Sequence, residues 1–257
     1  MLRFFRKIRQ RLLTDNKFSK YLLYAVGEIL LVVIGILIAL QVDSWNETRK
    51  DRLRVRSHLE ELKTELLNDL NRWEEIMTRF EKLDEAGLYL NTFLSGSLDK
   101  TDTLKLTESY LRAGHLAYFG VTAVAYNNLV SSGDINNIKN DSIKRLLGLL
   151  HSDDEWSKKY LNEGIVNVYN AYHNYMIKHT NPHVVRQDFT NRNSILSGPE
   201  VLITASSINW ENVKKDSTYK ILLNQVIANR IIQKMTYLLW KEDIVKILKI
   251  INAELDK

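Results

Sequence analysis

The chain has 257 residues, with 36 Lys and Arg against 31 Asp and Glu, and it contains no cysteine. Residues 1–42 hold 7 of the bases and 2 of the acids, which leaves 29 of each in residues 43–257. The formal net charge of +5 therefore belongs to the N-terminal segment, and it gives no support to nucleic-acid binding. The absence of cysteine excludes disulfides and a catalytic thiol.

An apolar run near the N-terminus, YLLYAVGEILLVVIGILIALQV, extends from Tyr21 to Val42. At about 1.5 Å per residue a helix of this length reaches about 33 Å, enough to cross a hydrocarbon core of about 30 Å. The run continues without the Ala-x-Ala cleavage site of a signal peptide, so we interpret it as an uncleaved anchor. The alternative, a buried core helix, better suits apolar runs of about 10 to 14 residues.

The charges around this run predict its orientation. Lys and Arg are more frequent before the run than in the early residues after it, which places the N-terminus in the cytoplasm and residues 43–257 in the periplasm. Residues 1–20 form a basic segment that we expect to lie on the inner leaflet as an amphipathic helix, although an ordinary solvated flank is the alternative. The expected lipid contacts are Arg3, Arg6, Lys7, Arg9 and Arg11, and the expected interface anchors are Tyr21, Tyr24 and Trp45.

Residues 43–257 are predicted to form one exported helical domain, so the fold class is all-α, with the transmembrane helix continuing into an antiparallel bundle. Both prolines, Pro182 and Pro199, lie in one region, and elsewhere apolar residues recur at intervals of three and four. The stripe Leu59, Leu62, Leu66, Leu70, Trp73, Met77 and Phe80 predicts a long helix that runs on from the anchor. We expect Glu60, Glu61, Lys63 and Glu65 to be solvated on its opposite face.

The segment LVSSGDINNIKNDSIKRLLGLLHSDDEW predicts a helical hairpin. Gly133 can supply a left-handed turn after the first helix, and Asn140 or Asp141 can cap the next one. The SDDEW run predicts the start of a further helix, with Ser152 as its cap and acids where the helix dipole favours them. Because that explanation suffices, we do not expect Asp153, Asp154 and Glu155 to bind a metal.

The last part of the chain separates into a polar segment and a helix. Residues 180–217 are polar and irregular, and we expect variable contacts there. The Tyr219–Leu255 segment is predicted to pack back along the first long helix. Its apolar positions are Leu222, Val226, Ile231, Met235, Leu238, Ile244, Leu248, Ile251 and Leu255. The residues Tyr169, Tyr172, His173 and Tyr175 can line a pocket, but their spacing more simply builds a packing face.

Motifs for catalysis or cofactor binding are missing from the sequence. It contains no GxxxxGK[ST] phosphate loop, no GxGxxG turn, no GxSxG elbow and no cysteine nucleophile. His179 and His183 are four residues apart, but Pro182 between them disfavours the helix that would bring them to one face. We therefore expect a protein that is not an enzyme and has no catalytic residue, cofactor or metal.

Two segments carry a resemblance to a family. FFRKIRQRLLTDNKFSKYLLYAVGEILLVVIGILIALQVDSWNE resembles the opening of an uncharacterised family, a domain of unknown function common in Bacteroidota, with a basic FFRKIR segment before a GEI..LVVIGILIALQ..NWNE anchor. LVSSGDINNIKND is similar to that family's Leu-x-x-Ser-Gly-x-x-x-x-Ile-x-Asn segment. The resemblance implies an inner-membrane protein with an exported helical domain, and it brings no activity, ligand or catalytic residue.

These patterns predict a single-pass inner-membrane protein whose periplasmic helical domain binds a protein partner or a ligand, as a non-enzymatic subunit or scaffold. The alternative is a sensor or regulator that transmits a periplasmic signal along the helix leaving the membrane. A periplasmic hydrolase without a recognisable motif is the third hypothesis.

Glu28 is an ionisable residue within the apolar run. The run cannot shift to exclude it, because Ile29 to Val42 is only 14 residues long and Asp43 follows. A carboxylate at the bilayer centre costs on the order of 2.5 to 3.5 kcal/mol on insertion scales. On a helix, Tyr24, Glu28, Val32, Gly35 and Ala39 share one stripe, where small residues allow close approach of another helix. We predict that this stripe contacts a second copy or a membrane-protein partner; the alternative is that Glu28 reaches the headgroups by helix tilt.

The stripe can be tested by substitution. Glu28→Gln should largely preserve assembly because the amide keeps a hydrogen-bonding group at the interface. Glu28→Leu removes that group and Gly35→Leu blocks close approach, so each should weaken association in a membrane association assay or in detergent. If both leucine variants assemble like the wild type, the stripe is not an interface.

Overall fold

The computed structural model describes residues 18–98, 100–179, 186–187, 201–202 and 208–256. The helices are α1 (Phe18–Leu94), α2 (Thr103–Arg112), α3 (Val124–Ser131), α4 (Asp141–His179), α5 (Trp210–Lys215) and α6 (Ser217–Leu255), with a 3-10 helix at Asp134–Asn137. Two strands of two residues, β1 (Arg186–Gln187) and β2 (Val201–Leu202), pair antiparallel, with Arg186 opposite Leu202. The predicted all-α class is confirmed.

The chain divides into two compact units, Met1–Arg56 and Ser57–Lys257. In the described part of the first unit, α1 carries the apolar run, and its side chains are almost all exposed. This helix is long and apolar enough to cross a membrane, and none of its most apolar stretch is buried within the protein. The second unit has its own hydrophobic core, to which the later part of α1 and the other helices contribute.

The core of the second unit follows the predicted stripe of α1. The buried members of the stripe are Leu59, Leu62, Leu66, Trp73 and Phe80, while Leu70 and Met77 are partly buried. These positions recur every three or four residues, which keeps them on one side of a helix. The predicted long helix with an apolar face is therefore confirmed.

Helix α6 packs antiparallel to α1 within this unit. Near the start of the shared stretch of α1, Trp73 Nε1 donates to the carbonyl oxygen of Tyr237 at 2.8 Å. Further along α1, Lys234 Nζ donates to Asp84 Oδ2 at 2.7 Å. From the first contact to the second, the residue number rises on α1 and falls on α6, so the two helices run in opposite directions. The prediction that the C-terminal helix packs back along the first long helix is therefore confirmed.

The buried face of α6 differs from the predicted one. Ile231, Met235 and Leu238 were predicted to be on the apolar face, but they are 54%, 63% and 45% exposed. The predicted stripe required a step of five residues from Val226 to Ile231, which an α-helix does not keep on one face. The buried positions instead step by three and four through Val226, Arg230, Gln233, Tyr237, Trp240 and Ile244. This regular face includes two polar side chains, which obtain partners from other segments.

Helix α4 is longer than predicted. It runs without a break from Asp141 to His179, so the predicted helix start with Ser152 as its cap is wrong. The SDDEW run has no glycine or proline to interrupt the helix. Asp154 lies in the core, where it accepts from the backbone N–H of Val121 at 3.1 Å and pairs with Lys158. Asp154 therefore makes a tertiary contact instead of marking a helix terminus, while Asp153 and Glu155 are exposed.

The turn between α3 and α4 is formed as predicted. Gly133 has φ of +78°, a left-handed conformation that favours glycine. Asn140 Oδ1 accepts from the N–H of Ser142 at 3.0 Å, so Asn140 is the residue that caps α4. The buried Asp134 accepts from Asn137 at 3.1 Å and lies 3.4 Å from His58 Nε2, which ties this turn to α1.

The segment predicted to be polar and irregular is described in part. Its described residues are the two strands and the stretch from Ile208 onward, where Asn209 caps α5 and Asp216 caps α6. His183 and both prolines lie outside the described residues.

The stability of the fold should depend on the titration of His151. This buried side chain stacks on the ring of Tyr126, with centroids 4.1 Å apart. Burial, partly opposed by Asp154 and assisted by Lys158, lowers the pKa of His151 to about 4. The unfolded chain, with a His pKa near 6.5, therefore binds the proton more readily between about pH 6.5 and 4. The free energy of unfolding should fall by about 2 to 3 kcal/mol as the pH falls through this range.

A phenylalanine at position 151 keeps the stacked ring but cannot be protonated. His151→Phe should reduce the loss of stability between pH 6.5 and 4, measured as the midpoint of thermal unfolding followed by circular dichroism. His173→Phe, at an exposed position of the same helix, is the matched control. If the unfolding midpoint of His151→Phe depends on pH as that of the wild type does, protonation of His151 is not the cause of the loss of stability.

Candidate functional site

The first candidate region is the bare apolar surface of α1. Every large apolar residue described between Leu22 and Val42 is at least two-fifths exposed, and a Cβ built on Gly27 or Gly35 would meet no atom within 4 Å. No described segment of the chain therefore covers this surface. In water, an apolar surface around a whole helix would be strongly unfavourable, which fits a helix that crosses a membrane.

The residues predicted to act at the membrane are exposed wherever the structure describes their side chains. Tyr24, Glu28, Val32, Gly35 and Ala39 are all exposed on α1, as is Trp45 beyond the apolar run. The side chain of Tyr21 and the basic residues Arg3, Arg6, Lys7, Arg9 and Arg11 lie outside what the structure describes. The predicted helix–helix stripe therefore lies on the exposed surface of α1.

The second unit is organised around an extended connection between α2 and α3, residues 113–123, which we term the α2–α3 loop. Asp69 of α1 is completely buried against it. Its Oδ2 accepts from the N–H of Thr122 at 2.8 Å, and its Oδ1 accepts from the hydroxyl of Thr122 at 2.6 Å. Arg72 also donates to Asp69, at 3.1 Å, and to the carbonyl of Gly120, at 2.6 Å. These contacts hold the end of the loop on α1.

Two further carboxylates bind backbone N–H groups in the same region. Asp154 of α4 binds Val121, as described above, and Glu65 of α1 accepts from the N–H of Ala125 at 3.0 Å. The prediction that Glu65 is solvated is therefore wrong, because the side chain is only partly exposed and bonded to the start of α3. Burial, with a smaller contribution from Asp69, raises the pKa of Glu65.

An open groove lies beside these carboxylates. It has a volume of about 570 Å³ and is lined by polar and acidic residues of α1, among them Glu60, Glu61 and Glu65, together with Thr122 and Asn128. Among the described residues, no group of three or more His, Asp or Glu side chains is placed to hold a metal ion. Glu65 Oε2 accepts from the N–H of Ala125, whereas its buried Oε1 has no hydrogen-bond partner among the described residues.

The tyrosines singled out in α4 have different positions. Tyr172 is buried, and its hydroxyl donates to the carbonyl of Tyr110 at 3.1 Å and lies 3.0 Å from the hydroxyl of Tyr219. Burial raises the pKa of Tyr172. Tyr175 donates to Asp216, the cap of α6. The hypothesis of a packing face therefore holds for Tyr172 and Tyr175, whereas Tyr169 lines a small cavity next to Arg230.

That cavity is the second candidate site. It lies between α4, α6 and the α2–α3 loop, and its lining includes His115, Ile165, Tyr169 and Arg230. Arg230 is only 2% exposed, and its Nη2 donates to the carbonyl of Ala113 at 2.6 Å. Burial lowers the pKa of His115 to about 4, and the neighbouring Arg79 and Arg112 contribute to the shift. The site is therefore basic, with a neutral imidazole at pH 7.

Three of the residues that organise this unit, Asp69, Arg230 and Gln233, were not identified from the sequence, and Asp154 was assigned to a helix terminus instead of a tertiary contact. One signal was available in the spacing. Asp69 lies three residues after Leu66 and four before Trp73, and Arg230 lies four after Val226, so both occupy positions of an apolar stripe. A charged residue at such a position indicates a buried polar contact, but the spacing gives no information about the partner.

The fold and these regions define an all-α protein. Its described residues include one helix capable of crossing a membrane and a helical unit with its own core. The chain belongs to DUF6090, a family of unknown function, whose pattern matches residues 28–167, more than half of the sequence. No curated protein and no solved structure matches the chain.

The contacts of Asp69 predict a large effect on stability. Asp69→Ala removes the acceptor of two hydrogen bonds from Thr122 and the negative charge that faces Arg72. The donors of Thr122 and Arg72 are then left buried or partly buried without this acceptor. We expect a loss of about 3 to 4 kcal/mol in the free energy of unfolding, measured by urea denaturation of the full chain in detergent.

The matched control is Asp243→Ala. Asp243 pairs with the exposed Lys246 at 3.1 Å on the surface of α6, so its loss should cost no more than about 0.5 kcal/mol. Equal effects of the two substitutions would show that the α2–α3 loop does not depend on Asp69.

Proposed function

We propose that this protein is a single-pass inner-membrane protein with a cytoplasmic N-terminus, whose helical unit lies in the periplasm and binds a protein partner or a ligand. The observation that carries the proposal is the apolar surface of α1, which is exposed around the helix over the length of a bilayer core. The basic residues that precede it in the sequence support the orientation.

The hydrogen bonds of the buried polar side chains support a binding role without enzyme activity. Asp69, Asp154 and Tyr172 are each bonded to backbone atoms of the second unit, so they act in holding the fold. Catalytic groups need access to a substrate, whereas these side chains are buried. The proposed partners are the membrane itself and a second copy or another membrane protein that contacts the stripe around Glu28 and Gly35.

A second candidate function is that of a sensor or regulator. The cavity beside Arg230 favours it, because a small site inside a folded unit can couple occupancy to the packing of the helices around it. Crosslinking in native membranes followed by mass spectrometry distinguishes the two functions. A sensor should yield a cytoplasmic neighbour crosslinked to the basic N-terminal segment, and a scaffold should yield neighbours of the helical unit.

The topology can be tested by protease protection. With a tag at the N-terminus, protease added to spheroplasts should remove the mass beyond Trp45 and leave the tag protected by the membrane. After permeabilisation the tag should be digested as well, which controls for intrinsic protease resistance. A tag that is digested in intact spheroplasts would reverse the orientation, and complete protection of the helical unit would place it in the cytoplasm.

A further inference from the structure

Helix α6 has an apolar face that no described segment of the chain covers. Between residues 228 and 239, every exposed residue of the helix is apolar, and the spacing keeps these residues on one side. Besides the three side chains whose exposure is given above, Ile232 is 50% exposed and Leu239 is 62% exposed. We term this surface the α6 apolar face. It consists of Ala228, Ile231, Ile232, Met235, Leu238 and Leu239.

The size of this face indicates a macromolecular partner. The exposed side chains of Ile221 and Val245 extend it toward both ends of the helix, so that it is about 36 Å long. With these two residues, its large apolar side chains expose on the order of 700 Å², whereas the largest apolar patch of a monomer is usually about 300 to 600 Å². A surface of this size and composition is typical of an interaction site.

The border of the face argues against a lipid surface as the partner. A helix that lies on a membrane usually has free Lys and Arg beside its apolar face, where they attract anionic lipids. Two lysines border the α6 apolar face on the side of α1, and both are engaged within the unit. Lys234 donates to Asp84, and Lys241 Nζ lies 3.9 Å from the centre of the Trp73 ring. The face therefore offers apolar contact without a charge reserved for a partner.

A second copy of the same face meets these conditions. Residues 228, 231, 235 and 238 alternate steps of three and four, the spacing with which the side chains of two helices interlock. Because the face has no charged residue, two copies can meet without like charges opposite each other. Glu242, the first exposed charged residue after the face, is paired with Lys246 at 3.9 Å. A symmetric pair that covers most of both faces buries on the order of 1,000 Å², the minimum expected of a specific interface.

We propose that the α6 apolar face binds the same face of a second copy of this chain, with Met235 and Leu238 near the centre of the contact. Copies anchored in one bilayer meet at a high local concentration, so an interface of this size is sufficient. The inference rests on the proposed binding function and deepens it, because it names a second copy as the partner of the helical unit. The contact is separate from the proposed stripe around Glu28.

The absence of cysteine makes this contact testable by crosslinking. Two differently tagged copies of the full chain, both with Met235→Cys, are coexpressed and treated in native membranes with a membrane-permeant bismaleimide. A product of twice the mass that carries both tags identifies the pair. Val124→Cys is the matched control, because Val124 is 64% exposed, Met235 is 63% exposed, and Val124 lies at the start of α3, outside the face. We expect at least about fivefold more pair from Met235→Cys.

A charged substitution locates the contact. Leu238→Glu, at a position that is 45% exposed, places a carboxylate in the interface of both copies. It should reduce crosslinking through Met235→Cys to the level of Val124→Cys. Val130→Glu adds the same charge on α3 at a position that is 44% exposed, and it should leave the crosslink intact. Circular dichroism checks that each variant is folded; if Leu238→Glu is not, Ile231→Lys provides a second charge in the face.

Three results would overturn the proposal. Equal yields from Met235→Cys and Val124→Cys would show that the crosslinks come from random collisions. A product that contains another protein in place of the second tag would assign the face to a different partner. A crosslink that persists in the charged variant would show that another surface brings the copies together. The reagent reaches both sides of the membrane, so this test and the protease experiment can fail separately.

Discussion

The helical unit depends on hydrogen bonds between buried side chains and the backbone of the α2–α3 loop. An extended segment cannot satisfy its own N–H and C=O groups, so the surrounding helices must supply partners. Helix α1 supplies Asp69 for Thr122, and α4 supplies Asp154 for Val121. Helix α6 supplies Arg230 for Ala113 and Gln233 for Ala117, the latter at 3.3 Å. The three long helices therefore meet through one loop, and each has a polar residue on its buried face.

The direction of these bonds differs between the first and the last residues of the loop. Its first residues present carbonyl groups, which draw the cationic Arg230, whereas its last residues present N–H groups, which draw Asp69 and Asp154. Arg72 and Lys158 pair with these two carboxylates, and Asp84 lies near Arg230, so both ends of the loop have charges of both signs beside them. Space at the start of the loop is tight: a Cβ on Gly114 would lie 2.2 Å from the ring of Tyr172, so this position requires glycine.

The two units meet different physical requirements. The described part of the first unit buries almost none of its apolar surface, so this part needs an apolar environment from outside the chain. The second unit buries its own core, including an aromatic group in which Tyr237 packs against Phe80 and Phe119. The residues that match the family, 28–167, include most of the apolar run, the α2–α3 loop and its acidic partners. Arg230 and Gln233 lie outside that match.

The sequence by itself determined the features that depend on near neighbours in the chain. The helical class, the apolar run, the stripe from Leu59 to Phe80 and the turn at Gly133 follow from spacing of three and four, length, and the conformational freedom of glycine. Tertiary structure decided the continuation of α4 through Asp154 and the buried face of α6 at Arg230. Their partners, Val121 and Ala113, are 33 and 117 residues away in sequence. A buried polar group is tolerated only where a distant segment supplies its partner, and local spacing does not reveal that segment.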